Sequence, residues 1–245
     1  MMLIIPLIRQ SIRTPPFMGH CPVCGKVTLF IAFGGWFRED LKCVRCKSSA
    51  RERAVIHYIS VNWAGLSHMA VYEPSPASRS RAFFERRAAN YAWSVYSPEL
   101  LVDDMGCGGS SQDLECLTFG DESFDLVVSQ DVFEHVANPA AAFAEVSRIL
   151  VPGGSHVFTM PWYPGHPTQR QAELVDGQIA HLAPPEYHGD PFDSNGALVF
   201  NRFGSDIADL IGVSSGMTTT ITEATETRMG ICGDSMFIFH SVKPA

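Results

Sequence analysis

Four cysteines near the start of the chain are spaced as ligands for one metal ion. Cys21 and Cys24 form a C-x-x-C pair, and Cys43 and Cys46 form a second such pair after eighteen intervening residues. Two residues between thiolates allow a tight turn to direct both sulfurs at the same ion, and the second pair completes a tetrahedron around Zn²⁺. Four thiolates leave no open coordination position, so we predict a structural zinc site and not a catalytic one.

The sequence around the cysteine pairs favours a zinc ribbon within residues 1–66. The segment "VTLFIAFGGWF" is apolar and β-prone, with Gly34-Gly35 as a turn, and it predicts a small hairpin. A redox dithiol is the alternative interpretation, but a C-x-x-C used for disulfide exchange normally occurs once and in a strand-to-helix context. The other three cysteines have no histidine at motif spacing and are interpreted as isolated small hydrophobes: Cys107, Cys116 and Cys232.

Two of the nine histidines are candidates for acid–base chemistry. Histidine titrates near neutral pH and can accept a proton from a hydroxyl or ammonium group. His135 lies in "FEHV", and His188 lies in residues 161–198, a segment rich in Pro, Gly and His that is too long and irregular for a simple connection. We predict His188 as the catalytic base. His135 is a second catalytic candidate, although it can equally hold a loop in place.

Charge is distributed unevenly along the chain. The formal net charge of −8 divides into +6 for residues 1–68 and −14 for the remainder, which is expected to repel a polyanion. The basic N-terminal part either offsets the metal-bound thiolates or forms a docking surface for nucleic acid or an acidic partner. The apolar run Leu3 to Ile8 is interrupted by Pro6 and is too short to cross a bilayer, so we expect a soluble, cytoplasmic protein without membrane contact.

The elements that must position these residues alternate between strand and helix. After a helical segment around Ala50 to Asn62, this alternation is typical of a parallel sheet with helices on its faces. Phe124 to Ser129, "FDLVVS", has the continuous apolar composition of a buried strand, and the helix that follows begins at Asn138 as cap. Near the end we predict a helix from about Arg202 to Leu210, followed by two strands.

Residues 124–162, "FDLVVSQDVFEHVANPAAAFAEVSRILVPGGSHVFTMPW", closely resemble the central motifs of class I S-adenosylmethionine-dependent methyltransferases, in particular type 11. "YHGDPF", "FGSDIADLIG" and the ribbon resemble a bacterial subgroup with a zinc ribbon before the Rossmann-like fold. The resemblance implies an α/β domain at residues 67–245, with a seven-stranded sheet whose last strand is antiparallel. Its cofactor, S-adenosylmethionine, is expected across the carboxyl ends of the strands.

The resemblance also implies contacts to the methionine end of the cofactor. The loop after the first strand keeps an acid, Glu73, but has Pro74 and Ser75 where relatives have glycine. Small residues still allow a close approach, and prolines can fix a turn without a positive φ. Gln130 and Asp131 are implied to face the methyl end, although Asp131 can equally cap the next turn.

Further implied contacts concern the ribose and the adenine. Ser97 stands near the position of the usual ribose-binding acid, and Glu99 follows two residues later. Asp113 is implied to accept from the exocyclic amine, with Leu114 against the ring. Asp113 can also be a loop cap.

The function implied is methyl transfer to a small-molecule acceptor, with oxygen in a sugar or secondary metabolite favoured and nitrogen or carbon left open. One alternative is methylation of nucleic acid or protein with the basic ribbon as docking module, although "SQDVFEH" is not the Asn/Asp-Pro-Pro-aromatic motif of amino-methylating DNA enzymes. Another is a binding protein on a catalytically inactive methyltransferase fold, because the first loop lacks glycine. The oligomeric state is left open.

Overall fold

The structure is a computed structural model that describes residues 15–76, 78–97, 109–189 and 196–245. The predicted ribose contact Glu99 and the isolated Cys107 lie outside these ranges. Within them, every helix is too short or too polar to cross a membrane.

The N-terminal part forms a small antiparallel sheet. Its elements are β1 (Phe17–Cys21), β2 (Lys26–Ala32), α1 (Phe37–Asp40) and β3 (Leu41–Cys43), with strand order β1-β2-β3. Each cysteine pair lies in a turn of the same construction. The N–H of Gly25 donates to the carbonyl of Cys21, the N–H of Lys47 donates to that of Cys43, and both donors have positive φ. The described part of the predicted ribbon region is therefore a three-stranded antiparallel sheet with the helical turn α1 between β2 and β3, and we refer to this sheet with its two cysteine turns as the ribbon.

Helix α2 (Ala50–Asn62) connects this ribbon to the rest of the chain. Its first turn is closed by a capping box, because the Ser49 side chain accepts from the N–H of Glu52 while the Glu52 carboxylate accepts from the N–H of Ser49. Arg53 in the same turn is fully buried and donates to the carbonyl oxygens of Leu41, Ser48 and Gly230. The helix start is thus tied both to the ribbon and to the C-terminal part.

A seven-stranded sheet forms the centre of the molecule. Its elements, with the flanking helices, are β4 (Ala70–Pro74), α3 (Ser78–Phe84), β5 (Asn90–Val95), β6 (Gly109–Ser111), β7 (Phe124–Gln130), α4 (Pro139–Ile149) and β8 (Leu150–Thr159), completed by α5 (Ile207–Ser215), β15 (Thr218–Glu223) and β16 (Phe237–Val242). The strand order is β15-β16-β8-β7-β4-β5-β6, and β16 is antiparallel to both neighbours. The predicted fold class, with its antiparallel last strand, is confirmed.

The two faces of the sheet are covered differently. Alternate residues of β4 point to opposite sides, so Val71 packs in one apolar cluster and Tyr72 in another. The Val71 cluster includes α2 and the ribbon residues Phe30 and Leu41, whereas the Tyr72 cluster includes α4 and α5. The ribbon therefore shares a continuous core with one face of the sheet.

Short paired strands lie in the segment between β8 and α5. They are β9 (Gln169–Arg170), β10 (Ala172–Val175), β11 (Gln178–His181), β12 (Tyr187–His188), β13 (Ala197–Leu198) and β14 (Asn201–Arg202). The prediction of a helix from Arg202 was wrong, because Asn201 and Arg202 pair with β9 and the helix begins at Ile207. Asn201 also donates from its amide to the carbonyl of Val136, which fixes this segment beside the end of β7.

Candidate functional site

The loop after β4 turns sharply at Ser75. This residue has φ +47, in the left-handed region that favours glycine, and its N–H donates to the carbonyl of Ser94 on β5. The prediction that prolines remove the need for positive φ here was wrong, because Pro74 still ends β4 and the following residue makes the turn. Serine is therefore held in a conformation that favours glycine, and such strained positions cluster at functional sites.

Glu73 lies buried just before this turn. The Tyr91 hydroxyl donates to its carboxylate at 2.7 Å, and the Gln130 amide lies 3.4 Å away. Burial raises the pKa of Glu73 to about 7, although hydrogen bonds from Ser80, Tyr91 and Gln130 oppose the shift. The carboxyl therefore titrates near neutral pH. The implied contact with the cofactor stays a prediction.

The residues implied for ribose and adenine lie along the edge formed by β5 and β6. The backbone of Ser97 is held on both sides by the Ser111 hydroxyl, which accepts from its N–H and donates to its carbonyl oxygen at 2.7 Å. Asp113 is exposed, and its Oδ1 accepts from the N–H of Glu115 at 2.9 Å, as a loop cap does. Leu114 is buried in the α4 cluster. These assignments stay predictions.

Asp131, directly after β7, is bound by two arginines from the N-terminal part of the chain. Arg38 on α1 donates to both carboxylate oxygens at 2.6 Å, and the Nε of Arg51 on α2 lies 3.2 Å away. Thr159 on β8 donates to Oδ1 at 2.9 Å. Arg38 is only 3% exposed and Asp131 19%. The two ends of this contact are ninety-three positions apart in the sequence, so no local motif pointed to it.

Electrostatics at Asp131 favour the carboxylate. Burial alone raises its pKa, but the charges of Arg51 and Arg38 and the hydrogen bond from Thr159 hold it well below the ordinary value. Asp131 also has φ +54, so the chain turns here in the left-handed region. Its implied contact with the cofactor stays a prediction, and its observed partners are protein groups.

The two candidate catalytic histidines lie together at the turn that follows. His135 and His188 have ring centroids 5.1 Å apart, with the rings nearly perpendicular. Both face the carboxylate of Glu134, whose Oε1 lies 3.8 Å from His135 Nε2 and 3.7 Å from His188 Nδ1. The contact with Glu134 raises the pKa of His188, while burial opposes it. Glu134 was not singled out from the sequence, although its position beside His135 was the available signal.

The four predicted metal-ligating cysteines also meet. Their Sγ atoms all lie within 4.8 Å of one another, and those of Cys21 and Cys46 are 3.7 Å apart. That separation is far longer than a disulfide bond of about 2.05 Å. It matches the edge of about 3.8 Å that follows from a tetrahedral zinc with Zn–S bonds of about 2.3 Å.

Comparisons with known proteins agree with this architecture. A family model described as a methyltransferase domain matches residues 85–158, which contain β5, β6, β7 and all but the last residue of β8. The chain is 42% identical over 55 residues to the uncharacterized protein YafE of Escherichia coli K12, and 51% identical over 47 residues to a dimethylglycine N-methyltransferase of Parasynechococcus marenigrum. The first match covers 22% of this chain and 27% of the relative, and the second covers 19% of this chain and 17% of the relative. The chain therefore spans about a quarter or less of the length of these relatives.

A solved structure extends the likeness to most of the chain. An S-adenosylmethionine-dependent methyltransferase from Mesorhizobium loti superimposes with a TM-score of 0.52 at 16% identity, covering 78% of this chain and 98% of that one. At this identity the likeness concerns the fold. The chain therefore has the class I methyltransferase fold, with the ribbon and the β9 to β14 segment added to it.

Replacing Glu73 with Gln should change how stability depends on pH. Between pH 4.5 and about 7 the folded state keeps a proton that the unfolded chain has released, so the free energy of unfolding falls as pH rises through this window. At about 1.4 kcal/mol per pKa unit the fall amounts to roughly 3 kcal/mol. Glu73→Gln should therefore gain that amount relative to the parent between pH 5 and pH 8, measured by urea unfolding.

The control for this prediction is Glu85→Gln, which alters an exposed carboxylate paired with Arg81. It should follow the parent at every pH. Equal pH profiles for the parent and Glu73→Gln would show that the Glu73 carboxyl is ionised throughout the range.

Removing Arg38 should be strongly destabilising. Arg38→Met leaves Asp131 buried with a weaker partner, and loss of one member of a buried ion pair typically costs about 3–5 kcal/mol. Arg45→Met is the matched control, because Arg45 is an exposed arginine of the same ribbon. The measurement is urea unfolding of both variants, together with Asp131→Asn and the double variant Arg38→Met/Asp131→Asn. The double variant should lose less than the sum of the single losses; additive losses would show that the two groups do not interact.

Proposed function

We propose that this chain is an S-adenosylmethionine-dependent methyltransferase that acts on a small-molecule acceptor, with oxygen as the atom methylated. The observation that carries the proposal is the strand order of the seven-stranded sheet, and the methyltransferase-domain model matches the region of β5, β6, β7 and most of β8. Fold alone does not determine function, so the residues at the carboxyl ends of the strands must support it.

The residues at that edge fit the cofactor. S-adenosylmethionine supplies a methyl group carried on a positively charged sulfonium. The left-handed backbone of Ser75 supports a close approach of the methionine part, as glycine does in relatives. The buried carboxyl of Glu73, with its pKa near 7, is available to ionise when an ammonium group is present.

For the rest of the cofactor we propose Ser97 and Glu99 at the ribose and Asp113 with Leu114 at the adenine. We propose Gln130 at the methyl end. Its side-chain amide donates to the carboxylate of Glu73 and accepts from the guanidinium of Arg51, so it lies between these two groups. Asp131 is instead proposed to hold the ribbon against the sheet, because both of its oxygens already accept hydrogen bonds from protein groups.

A small acceptor is favoured by the segment that covers the end of β7. Methyl transfer requires alignment of the acceptor with the sulfonium and exclusion of water. The pair β12 and β13 brings His188 beside His135, and the backbone N–H of Phe200 donates to the carbonyl of Glu134, so this segment covers the end of β7. We propose that the two histidines face the acceptor.

Methylation of nucleic acid through a basic ribbon has less support. Arg38 and Arg51 are engaged by Asp131, and the guanidinium of Arg53 is fully buried among backbone carbonyls. Three of the nine lysines and arginines in residues 1–68 are therefore directed inward and are not available to phosphates.

Binding of S-adenosylmethionine tests the proposal directly. Calorimetric titration of the intact chain should show one site, and Asp113→Ala should weaken it at least tenfold, because a hydrogen bond to a charged group is worth about 1.5–3 kcal/mol. Asp209→Ala, an exposed aspartate on α5, should bind as the parent does. Release of S-adenosylhomocysteine with phenols, diols and sugars, compared with amines, then identifies the acceptor atom.

The outcomes separate the alternatives. No binding at millimolar S-adenosylmethionine would overturn the enzyme proposal. Cofactor binding without turnover on any acceptor would favour an inactive binding protein. Retention on heparin at physiological salt would favour nucleic acid as the partner.

We also propose that Cys21, Cys24, Cys43 and Cys46 hold a structural Zn²⁺ in the ribbon, which we assign to residues 1–66. The distances between the sulfurs support a tetrahedral ion. The fully buried guanidinium of Arg53 interacts electrostatically with the cysteine thiolates. Its positive charge offsets part of their negative charge.

Cys43→Ser should lose zinc and stability together. By mass spectrometry the parent is expected to contain about one zinc per chain more than the variant. Its melting temperature should fall by roughly 10 °C or more, because structural zinc contributes several kcal/mol to folding. Cys116→Ser, an exposed isolated cysteine, is the matched control and should keep both. Full zinc content in Cys43→Ser would contradict the site.

A further inference from the structure

A buried carboxylate without a hydrogen-bonding partner lies between the two histidines. Glu134 is 1% exposed, and among the residues that the structure describes neither of its carboxylate oxygens has a hydrogen-bond partner. Its nearest charged or titratable neighbours there are His135 and His188, at 3.8 and 3.7 Å. A carboxylate in such a place is costly unless a cation lies against it, so this cluster requires a positive charge.

The outer nitrogen of each histidine is already directed at an acceptor. His135 Nδ1 lies 2.8 Å from the carbonyl oxygen of Leu198, and because a carbonyl only accepts, Nδ1 carries the proton. His188 Nε2 faces Oε1 of Glu186 at 3.5 Å, and Glu186 is held in turn by Arg202 at 2.6 Å. In the neutral ring of His135 the lone pair is therefore on Nε2, which faces Glu134, and His188 faces the same carboxylate with its Nδ1.

This arrangement is the one found around metal ions. A metal-ligating histidine usually donates its other N–H to a carbonyl or a carboxylate, which fixes the tautomer and the ring orientation. Here Leu198 provides the carbonyl and Glu186 the carboxylate. The three inner atoms, Glu134 Oε1, His135 Nε2 and His188 Nδ1, all lie within 4.8 Å of one another.

We propose that Glu134, His135 and His188 bind a divalent metal ion. Their separations of 3.7 and 3.8 Å are too long for hydrogen bonds and close to the about 3.4 Å expected between ligands around a tetrahedral ion with bonds of about 2.1 Å. Two imidazoles and one carboxylate suit Mn²⁺, Fe²⁺, Co²⁺ or Zn²⁺, and three protein ligands leave positions open for substrate. The histidine side of the cluster is the open side, since His135 is 19% and His188 33% exposed.

The open positions define a substrate class, and this step rests on the proposed methyl transfer. Two adjacent hydroxyls, as in a catechol or a vicinal diol, can chelate the ion through both oxygens. The bound hydroxyl releases its proton to water more readily, because the ion acts as a Lewis acid. The resulting oxygen forms a bond to the methyl carbon while the carbon–sulfur bond breaks, and the sulfur keeps that electron pair as a neutral thioether. His135 and His188 then act as ligands and not as general bases.

Manganese binding tests the site without the cofactor or an acceptor. Mn²⁺ is the probe because it prefers oxygen and nitrogen ligands and does not displace zinc from thiolates. The zinc-loaded intact chain is titrated, and the loss of the free Mn²⁺ signal is followed by electron paramagnetic resonance. One Mn²⁺ per chain is expected, with at least a hundredfold weaker binding in Glu134→Gln and in His188→Asn. His181→Asn, an exposed histidine on β11, should bind as the parent does.

The result distinguishes this site from the proposed function. Equal Mn²⁺ binding by the parent and Glu134→Gln, with both folded by circular dichroism, would overturn the metal site and leave methyl transfer untouched. Mn²⁺ binding without S-adenosylmethionine binding would leave the metal site and remove the methyltransferase. Catechol should tighten Mn²⁺ binding at least tenfold, whereas resorcinol, whose hydroxyls are not adjacent, should not. Equal effects of the two phenols would overturn the chelating substrate class.

Discussion

The ion pair between Arg38 and Asp131 is the contact on which the arrangement of the site depends. It joins the ribbon to the carboxyl end of β7, and ligands of open α/β sheets bind at the carboxyl ends of the strands. The carboxylate and the guanidinium are both largely removed from water, so neither can be left without its partner at small cost. Arg51 and Thr159 complete the surroundings, which leaves Asp131 satisfied by groups from three parts of the chain.

This contact fixes the position of the ribbon relative to the sheet. α1 lies between β2 and β3, and β3 carries Cys43, so the geometry of the cysteine cluster also sets where Arg38 is held. The ribbon and α2 pack against one face of the sheet and contribute Phe30 and Leu41 to its core. A metal that stabilises the ribbon would therefore act on the end of β7 through packed and charged groups, without contacting it.

Parts of this arrangement could be predicted from local sequence, and other parts could not. The apolar run of β7, the Asn138 cap and the paired cysteines are local patterns, and the structure contains each of them as an element or a cluster. The helix near Arg202 was misplaced because that residue pairs with β9, a partner that its own sequence does not reveal. Arg38 was missed for the same reason, since an arginine in "FRED" is indistinguishable from a solvated one until the chain brings Asp131 to it. Ser75 shows a different limit. Its positive φ could not be predicted from the sequence, because serine also occurs in many unstrained turns.

Two acids on one short turn, Asp131 and Glu134, have opposite surroundings. Asp131 meets two arginines, and their charges hold its pKa low, so it has no remaining need for a cation. Glu134 follows three positions later and is more deeply buried, and the cationic or potentially cationic side chains that lie against its carboxylate in the described part of the chain are the imidazoles of His135 and His188. The same turn therefore presents one carboxylate that is already neutralised and one that is not. Because β13 fixes His135 and β12 carries His188, the segment that covers the sheet also completes the surroundings of the second acid, and a cation site at that position follows from the fold that encloses it.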